Sequence, residues 1–209
     1  MRIAKEGLGF ILPCVALAAI FFAVGWWGLA VPFLIAGLGF SFFFRDPKRK
    51  IPGDENLLVA AADGKVIKIE TAASHPLLPP PVTSVTIFLS LFDVHITRAP
   101  LSGRVQKIDY QPGRFFPAYK EEASLRNESN SLFLKGEKTD IFIKQIAGVV
   151  ARRIKCYVKE NEKVARGQKI GLMYFGSRVE IYLPPSVRVK VSLSQKIKAG
   201  ETIIGEVSE

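Results

Sequence analysis

Two histidines, His75 and His95, are all this 209-residue chain offers for moving protons near neutral pH. His95 lies in Ser90-Leu91-Phe92-Asp93-Val94-His95-Ile96-Thr97-Arg98-Ala99-Pro100, an apolar, strand-like context. A second feature is the pair Gly176-Ser177, between two apolar alternating runs. A third is Asp63, before Gly64 in Ala62-Asp63-Gly64-Lys65-Val66. Each alone has a plain structural reading, because Gly-Ser and Asp-Gly pairs are turn formers. Together they describe a reaction of the chain on itself. A serine hydroxyl attacks the carbonyl carbon before it, and glycine gives the backbone freedom this needs. A base must take the hydroxyl proton, and a carboxylate must orient that base. His95 is the candidate base, with Asp63 or Asp93 as the orienting carboxylate. The amide at Gly176–Ser177 shifts to an ester on the serine oxygen. Elimination then leaves dehydroalanine, which tautomerises and hydrolyses to a pyruvoyl group.

Strands must position these residues. After residue 50 the pattern has period two or short apolar runs, the mark of β structure. The segments 57–62, 65–70, 82–91, 105–110, 132–134, 140–146 and 154–158 read as strands. The proline-rich stretch 75–81 reads as a loop, as does the polar, charged stretch 109–129. One internal repeat stands out. Lys163-Val164-Ala165-Arg166-Gly167-Gln168-Lys169-Ile170 recurs 33 positions later as Lys196-Ile197-Lys198-Ala199-Gly200-Glu201-Thr202-Ile203. Each copy reads strand, Gly turn, strand. The pattern predicts a mainly β domain, barrel-sandwich-hybrid-like, with internal pseudo-symmetry.

The N-terminus is a different material. Residues 8–44 carry no charge at all, and Arg2, Lys5, Arg45, Lys48, Arg49 and Lys50 flank them. Two short helices, roughly 8–25 and 28–44, use the whole stretch, with Trp26 and Trp27 at the tip. Basic residues on both sides place both ends on the cytoplasmic side, as a hairpin requires. We therefore expect a membrane-associated hairpin over 1–44, a basic linker over 45–53 and a β domain over 54–209, on the cytoplasmic face of the cell membrane. The net charge of +10 favours an anionic partner. With the apolar N-terminus that partner is a membrane surface; no basic run interleaved with stacking aromatics suggests nucleic acid. Cys14 and Cys156 have no metal-ligand spacing, so no metal site is expected.

Several motifs together resemble the short, membrane-associated form of the pyruvoyl-dependent phosphatidylserine decarboxylases, from about Phe43 to the C-terminus. They are Phe43-Phe44-Arg45-Asp46-Pro47, Ala62-Asp63-Gly64-Lys65-Val66 and Asp93-Val94-His95-Ile96-Thr97-Arg98-Ala99-Pro100. Asn127-Glu128-Ser129-Asn130, Gln145-Ile146-Ala147-Gly148 with Ala151-Arg152-Arg153-Ile154, and Phe175-Gly176-Ser177-Arg178-Val179 complete the set. The resemblance implies an Asp63-His95-Ser177 processing triad. It implies cleavage into a β chain 1–176 and an α chain 177–209, held together as a heterodimer with higher assembly open. It implies a pyruvoyl cofactor made from Ser177 that decarboxylates phosphatidylserine to phosphatidylethanolamine. Arg98, Arg114, Lys120, Arg152 and Arg153 are candidates for the lipid phosphate, and Asn127 and Glu128 for further substrate contacts. Some members carry a second histidine where this chain has Arg98, so His95 serves both steps or Arg98 takes part of the substrate role.

The contrasting reading is a membrane-anchored barrel-sandwich carrier or adaptor without enzymatic activity. Such a carrier needs an exposed lysine at a hairpin tip, and Phe175-Gly176-Ser177 supplies none. A soluble pyruvoyl amino-acid decarboxylase is countered by the apolar hairpin. A serine hydrolase is countered by the lack of a Gly-x-Ser-x-Gly elbow.

Overall fold

A computed structural model of the chain describes residues 2–72, 75–114, 116, 122–148 and 153–208. The chain forms two compact units, Met1–Lys48 and Arg49–Glu209.

The first unit is the expected hairpin. Helices α1 (Leu8–Ala23) and α2 (Trp27–Phe43) pack on each other and are joined through Gly25 at φ +78°. Phe10 stacks on Phe44 and Phe21 on Phe33, with ring centroids 5.4 and 5.6 Å apart. At the open end the two-residue strands β1 (Arg2–Ile3) and β2 (Arg45–Asp46) pair antiparallel. Part of the expected linker is thus drawn into a sheet, because the hairpin brings both chain ends together. The outer surface stays apolar: Leu12, Ile35 and Leu38 are each more than 60% exposed. A helix pair that is hydrophobic all round must cover that surface with something other than water. The segment Lys5–Ala23 is long and apolar enough to cross a membrane by length and composition. At 17 residues α2 is shorter than a span normally requires.

The second unit is mainly β. In chain order its strands are β3 (Leu57–Val59), β4 (Gly64–Ala72), β5 (Val82–Leu89), β6 (Ile96–Arg98), β7 (Gly103–Gln111), β8 (Ser129–Gly136) and β9 (Asp140–Ala147). They continue with β10 (Ile154–Cys156), β11 (Lys163–Val164), β12 (Lys169–Met173), β13 (Ser177–Leu183), β14 (Val187–Val189), β15 (Lys196–Ile197) and β16 (Ile203–Val207). The five-residue helix α3 (Glu122–Arg126) falls in the stretch expected to be a loop, and β7 runs on into its start. Eight strands form one open antiparallel sheet, in the order β11-β7-β8-β9-β13-β5-β4-β15. Two small sheets, β10-β12-β6 and β14-β16-β3, complete the unit. Alternation along β13 sends Val179, Ile181 and Leu183 into the core, where Val85, Ile87, Leu132, Leu134, Ile141 and Ile143 are also fully buried.

The repeat folds as a repeat, on opposite edges of the large sheet. Val164 of β11 lies opposite Gly103 on one edge, and Ile197 of β15 opposite Gly64 on the other. Asn161 and Ser194 both have φ +67°, and Gly167 and Gly200 both have φ +77°. Asn161 N–H donates to Val105 O at 2.6 Å, and Ser194 N–H to Val66 O at 2.8 Å. Gly167 N–H donates to Ala99 O at 2.8 Å, and Gly200 N–H to Ala60 O at 2.9 Å. The segments 60–66 and 99–105 are therefore counterparts too, which puts Asp63 and Ser102 at equivalent places.

Candidate active site

The turn between β12 and β13 holds the expected Gly176-Ser177 pair. These two strands do not pair with each other. β12 lies between β10 and β6, whereas β13 lies between β9 and β5. The chain therefore leaves one sheet and joins another within three residues, Tyr174 to Gly176. Phe175 at φ +43° and Gly176 at φ +71° make that turn. The left-handed region costs a non-glycine residue about 1–3 kcal/mol, so Phe175 is strained beside the Gly176–Ser177 bond. Among the described residues a Cβ at Gly176 would meet no atom within 4 Å, so its conformation rather than crowding calls for glycine.

Ser177 opens β13, and its backbone is fixed on both sides by register with Ala147 and Leu89. It is fully buried. Its side chain shares the core-facing side of the strand with Val179 and Ile181. Among the described residues its Oγ is a buried polar atom with no hydrogen-bond partner. An orphaned buried hydroxyl costs about 1–3 kcal/mol. Beside Arg49 Nε and Arg166 Nε, Ser177 Oγ is one of three such buried side-chain atoms among the described residues, and the one hydroxyl, so it calls for a chemical explanation.

His95 supplies one. It sits just before β6 and is 1% exposed. Its Nδ1 is 3.0 Å from the Asp93 carbonyl oxygen, which can only accept, so Nδ1 carries the proton. The remaining nitrogen of the neutral ring, Nε2, is then an acceptor, and Gly176 N–H donates to it at 3.1 Å. The basic lone pair of the ring thus points at the residue preceding Ser177. The strand behind it is anchored by Met173 N–H donating to His95 O at 3.0 Å and by Gln145 Nε2–H donating to Thr97 Oγ1 at 2.6 Å.

Of the two carboxylates considered for orienting His95, Asp93 does so through its backbone. Its carboxylate instead accepts from Ser90 N–H at 2.8 Å and Ser90 Oγ–H at 2.7 Å, closing the turn. Asp63 lies just ahead of β4. Ser177 pairs with Leu89, and Phe88 with Lys65, so Asp63 stands about two strand spacings from Ser177, roughly 10 Å. Arg49 Nη2 donates to both its oxygens, at 2.9 and 2.8 Å, and Ala199 N–H donates to Oδ1 at 2.8 Å. Burial pushes the Asp63 carboxyl above the usual carboxylate range, against the pull of Arg49.

The other expected site residues divide. Arg98 is buried and donates to the Gly167 carbonyl at 2.9 Å. Asn127 is buried. Its amide donates to Ala147 O and Phe116 O, each at 2.7 Å, and accepts from Phe116 N–H at 2.7 Å. Since Ala147 pairs with Ser177, this ties the segment at 116 to the site. Glu128 is buried and accepts from Tyr110 OH and Ile154 N–H, both at 3.1 Å. Arg114 and Arg153 are exposed; Arg153 O accepts from Tyr174 N–H at 3.2 Å. Lys120 and Arg152 lie outside the described residues.

Two features were not read from sequence. Arg49, expected as a membrane-facing linker charge, has a side chain only 5% exposed and holds Asp63. Nothing local marks a contact spanning 14 residues. Behind β13, buried Glu180 accepts from Arg178 Nε at 2.9 Å, Ser124 Oγ at 2.9 Å and Tyr182 OH at 2.7 Å. That network had a signal. Arg178, Glu180 and Tyr182 alternate with Val179, Ile181 and Leu183, so they share the face turned away from the core.

A model of the phosphatidylserine decarboxylase family matches residues 37–205. A phosphatidylserine decarboxylase proenzyme of Syntrophus aciditrophicus is 42% identical over 206 residues, covering 97% of this chain and 96% of its own. The proenzyme of Burkholderia pseudomallei strain 1106a is 41% identical over 208 residues, with 99% and 96% covered. That of Burkholderia lata is 39% identical over 208 residues, with 99% and 97% covered. A family model over most of the chain and these relatives define the class, a carboxy-lyase, and the chain belongs to the phosphatidylserine decarboxylase family.

Proposed function

We propose that the chain matures by cutting itself at Gly176–Ser177 and then decarboxylates phosphatidylserine to phosphatidylethanolamine. The observation that carries this reading is the buried, unpartnered Ser177 Oγ beside a left-handed Gly176 whose N–H touches His95 Nε2. His95 takes the Ser177 hydroxyl proton on Nε2 while Nδ1–H stays on the Asp93 carbonyl. Oγ adds to the Gly176 carbonyl carbon, and the C–N bond breaks to give an ester with a free Ser177 amine. Loss of the Ser177 α-proton breaks Cβ–Oγ and releases residues 1–176 with the Gly176 carboxylate as their new end. The dehydroalanine left at 177 tautomerises to an imine, and water removes ammonia from it. Asp63 is the charge that supports the developing imidazolium of His95.

The pyruvoyl group so formed fits its surroundings: Ser177 is buried, held by strands on both sides, and next to open space at Gly176. A pyruvoyl group supplies an electron sink for the carbanion left when CO₂ departs. His95 is the group in reach to return a proton to the product. Arg153, whose backbone is bonded to Tyr174, and Arg114, which bridges to Asn127, are the exposed cations for the lipid phosphate. The apolar hairpin tethers the catalytic unit to the cytoplasmic face of the membrane, where the acyl chains of the substrate remain.

Intact mass measurement of the wild type beside Ser177→Ala, with phosphatidylserine vesicles as substrate, tests the reading. The wild type is expected as two chains, 1–176 and 177–209, the smaller lighter by one ammonia than a serine-headed peptide, and phosphatidylethanolamine accumulates. Ser177→Ala is expected as one uncut, inactive chain. An uncut wild type that still decarboxylated would sink the proposal.

A further inference from the structure

The internal repeat separates what the fold needs at position 63 from what it does not. In one copy Ser102 Oγ accepts from Arg166 N–H at 3.0 Å; in the other Asp63 Oδ1 accepts from Ala199 N–H at 2.8 Å. The same turn is closed by the same bond, and a neutral hydroxyl suffices to close it. The charge at position 63 is therefore surplus to the fold. It is matched by an equally costly partner. The side chains of Arg49 and Asp63 are only 5% and 12% exposed, one Arg49 nitrogen, Nη2, donates to both Asp63 oxygens, and Arg49 Nε has no hydrogen-bond partner among the described residues. A buried ion pair is a weak source of stability compared with apolar packing. Stability does not explain why one copy of the turn carries it.

We propose that Arg49 is a positioning residue for self-processing, its guanidinium fixing the Asp63 carboxylate as an anion at the edge of the Ser177–His95 site. This rests on the reading of Asp63 as the charge behind His95. The charged groups around Asp63 come from four segments. They are Arg49 ahead of β3, Asp93 between β5 and β6, Arg98 on β6, and Glu201, which lies 3.9 Å from the Arg49 guanidinium. Burial and Asp93 favour the protonated acid, and Arg49 opposes them. Removing Arg49 therefore raises the pH at which Asp63 gives up its proton. Processing that needs the anion moves to higher pH with it.

The test follows processing of newly made full-length chains across a neutral-to-alkaline pH series, with thermal melting alongside. Arg49→Gln is expected to slow processing at neutral pH, about tenfold for each unit by which the carboxyl is raised, and to recover as pH rises. Arg49→Lys keeps the charge on a single donor nitrogen; it is expected to slow processing less and to keep the wild-type pH profile. If Arg49→Gln processes at the wild-type rate, or is slowed by one factor at every pH, the proposal is overturned. Should Arg49→Gln fail to fold, Arg49→Lys decides, and a profile shifted to alkaline pH in that charged variant overturns it. Asp63→Ser copies Ser102 in closing the turn but strands the buried Arg49 guanidinium, so it is made together with Arg49→Met; the pair is expected to melt near the wild type while losing processing. If the pair processes normally, the role of Asp63 itself fails, whatever Arg49→Gln shows.

Discussion

At the scale of single residues, the site is built from unmet demands. Among the described residues Ser177 Oγ has no hydrogen-bond partner, Phe175 is held in a left-handed conformation, and burial pushes the Asp63 carboxyl above its usual range. The proposed reaction would relieve or use each of them. Phe175→Gly removes the strain without touching the nucleophile. We expect it to raise the melting temperature and slow cleavage, measured by calorimetry and by the fraction cut over time. His95→Gln keeps a side chain that hydrogen-bonds but cannot take a proton at neutral pH. Cleavage is expected to fall by 10²-fold or more, as is usual when a general base is lost, while the chain stays folded. Asp63 also leaves a trace in stability. Its carboxyl is raised in the folded state, so the fold binds that proton more tightly than the unfolded chain does. Stability from this group is present at low pH and declines as pH rises through the ordinary carboxylate range to the raised value. Asp63→Asn is expected to remove that decline from urea titrations repeated across acidic pH.

At the scale of elements, β13 has one face turned to the core and one that carries a polar network. Its core side carries Ser177, Val179 and Ile181. Its other side carries the Arg178–Glu180–Tyr182 network under Ser124 of α3. Glu180→Leu strands the Arg178 charge in the interior and is expected to cost about 3–5 kcal/mol, read as a lower urea midpoint. Much at this scale was legible in sequence. The alternation in Val82–Leu89 and in β13 gave their faces, and the two Lys–Gly–Ile copies gave the paired edge turns. The helices of the hairpin ended within a residue or two of their expected bounds. What was hidden depends on register between distant strands. Nothing in Arg49 or Asp63 alone says that they meet. The backbone role of Asp93 could not be told from a carboxylate role, since both use the same residue at the same place.

At the scale of the whole molecule, two materials are joined by one chain. The first unit presents apolar side chains on every side, and the second is an ordinary water-facing β domain. Ile35→Arg, at the middle of α2 and 63% exposed, is expected to weaken flotation of the full chain with lipid vesicles. A charge at a helix centre opposes insertion by about 2.5–3.5 kcal/mol, so the loss is close to a hundredfold. Decarboxylation of dispersed, short-chain substrate is expected to persist, since the proposed site lies in the second unit.

The position of β13 in the middle of the large sheet has a further result. The fragment that begins at residue 177 owns β13, β14, β15 and β16, and so threads a central strand, an edge strand and part of a small sheet through the other fragment. Peeling it away would break four ladders at once, β13 with β5 and β9, β15 with β4 and β16 with β3. If the chain is cut as proposed, the two products are a matched pair for life. Isotope-labelled and unlabelled cut chains, mixed and incubated below their melting point, are then expected never to trade subunits.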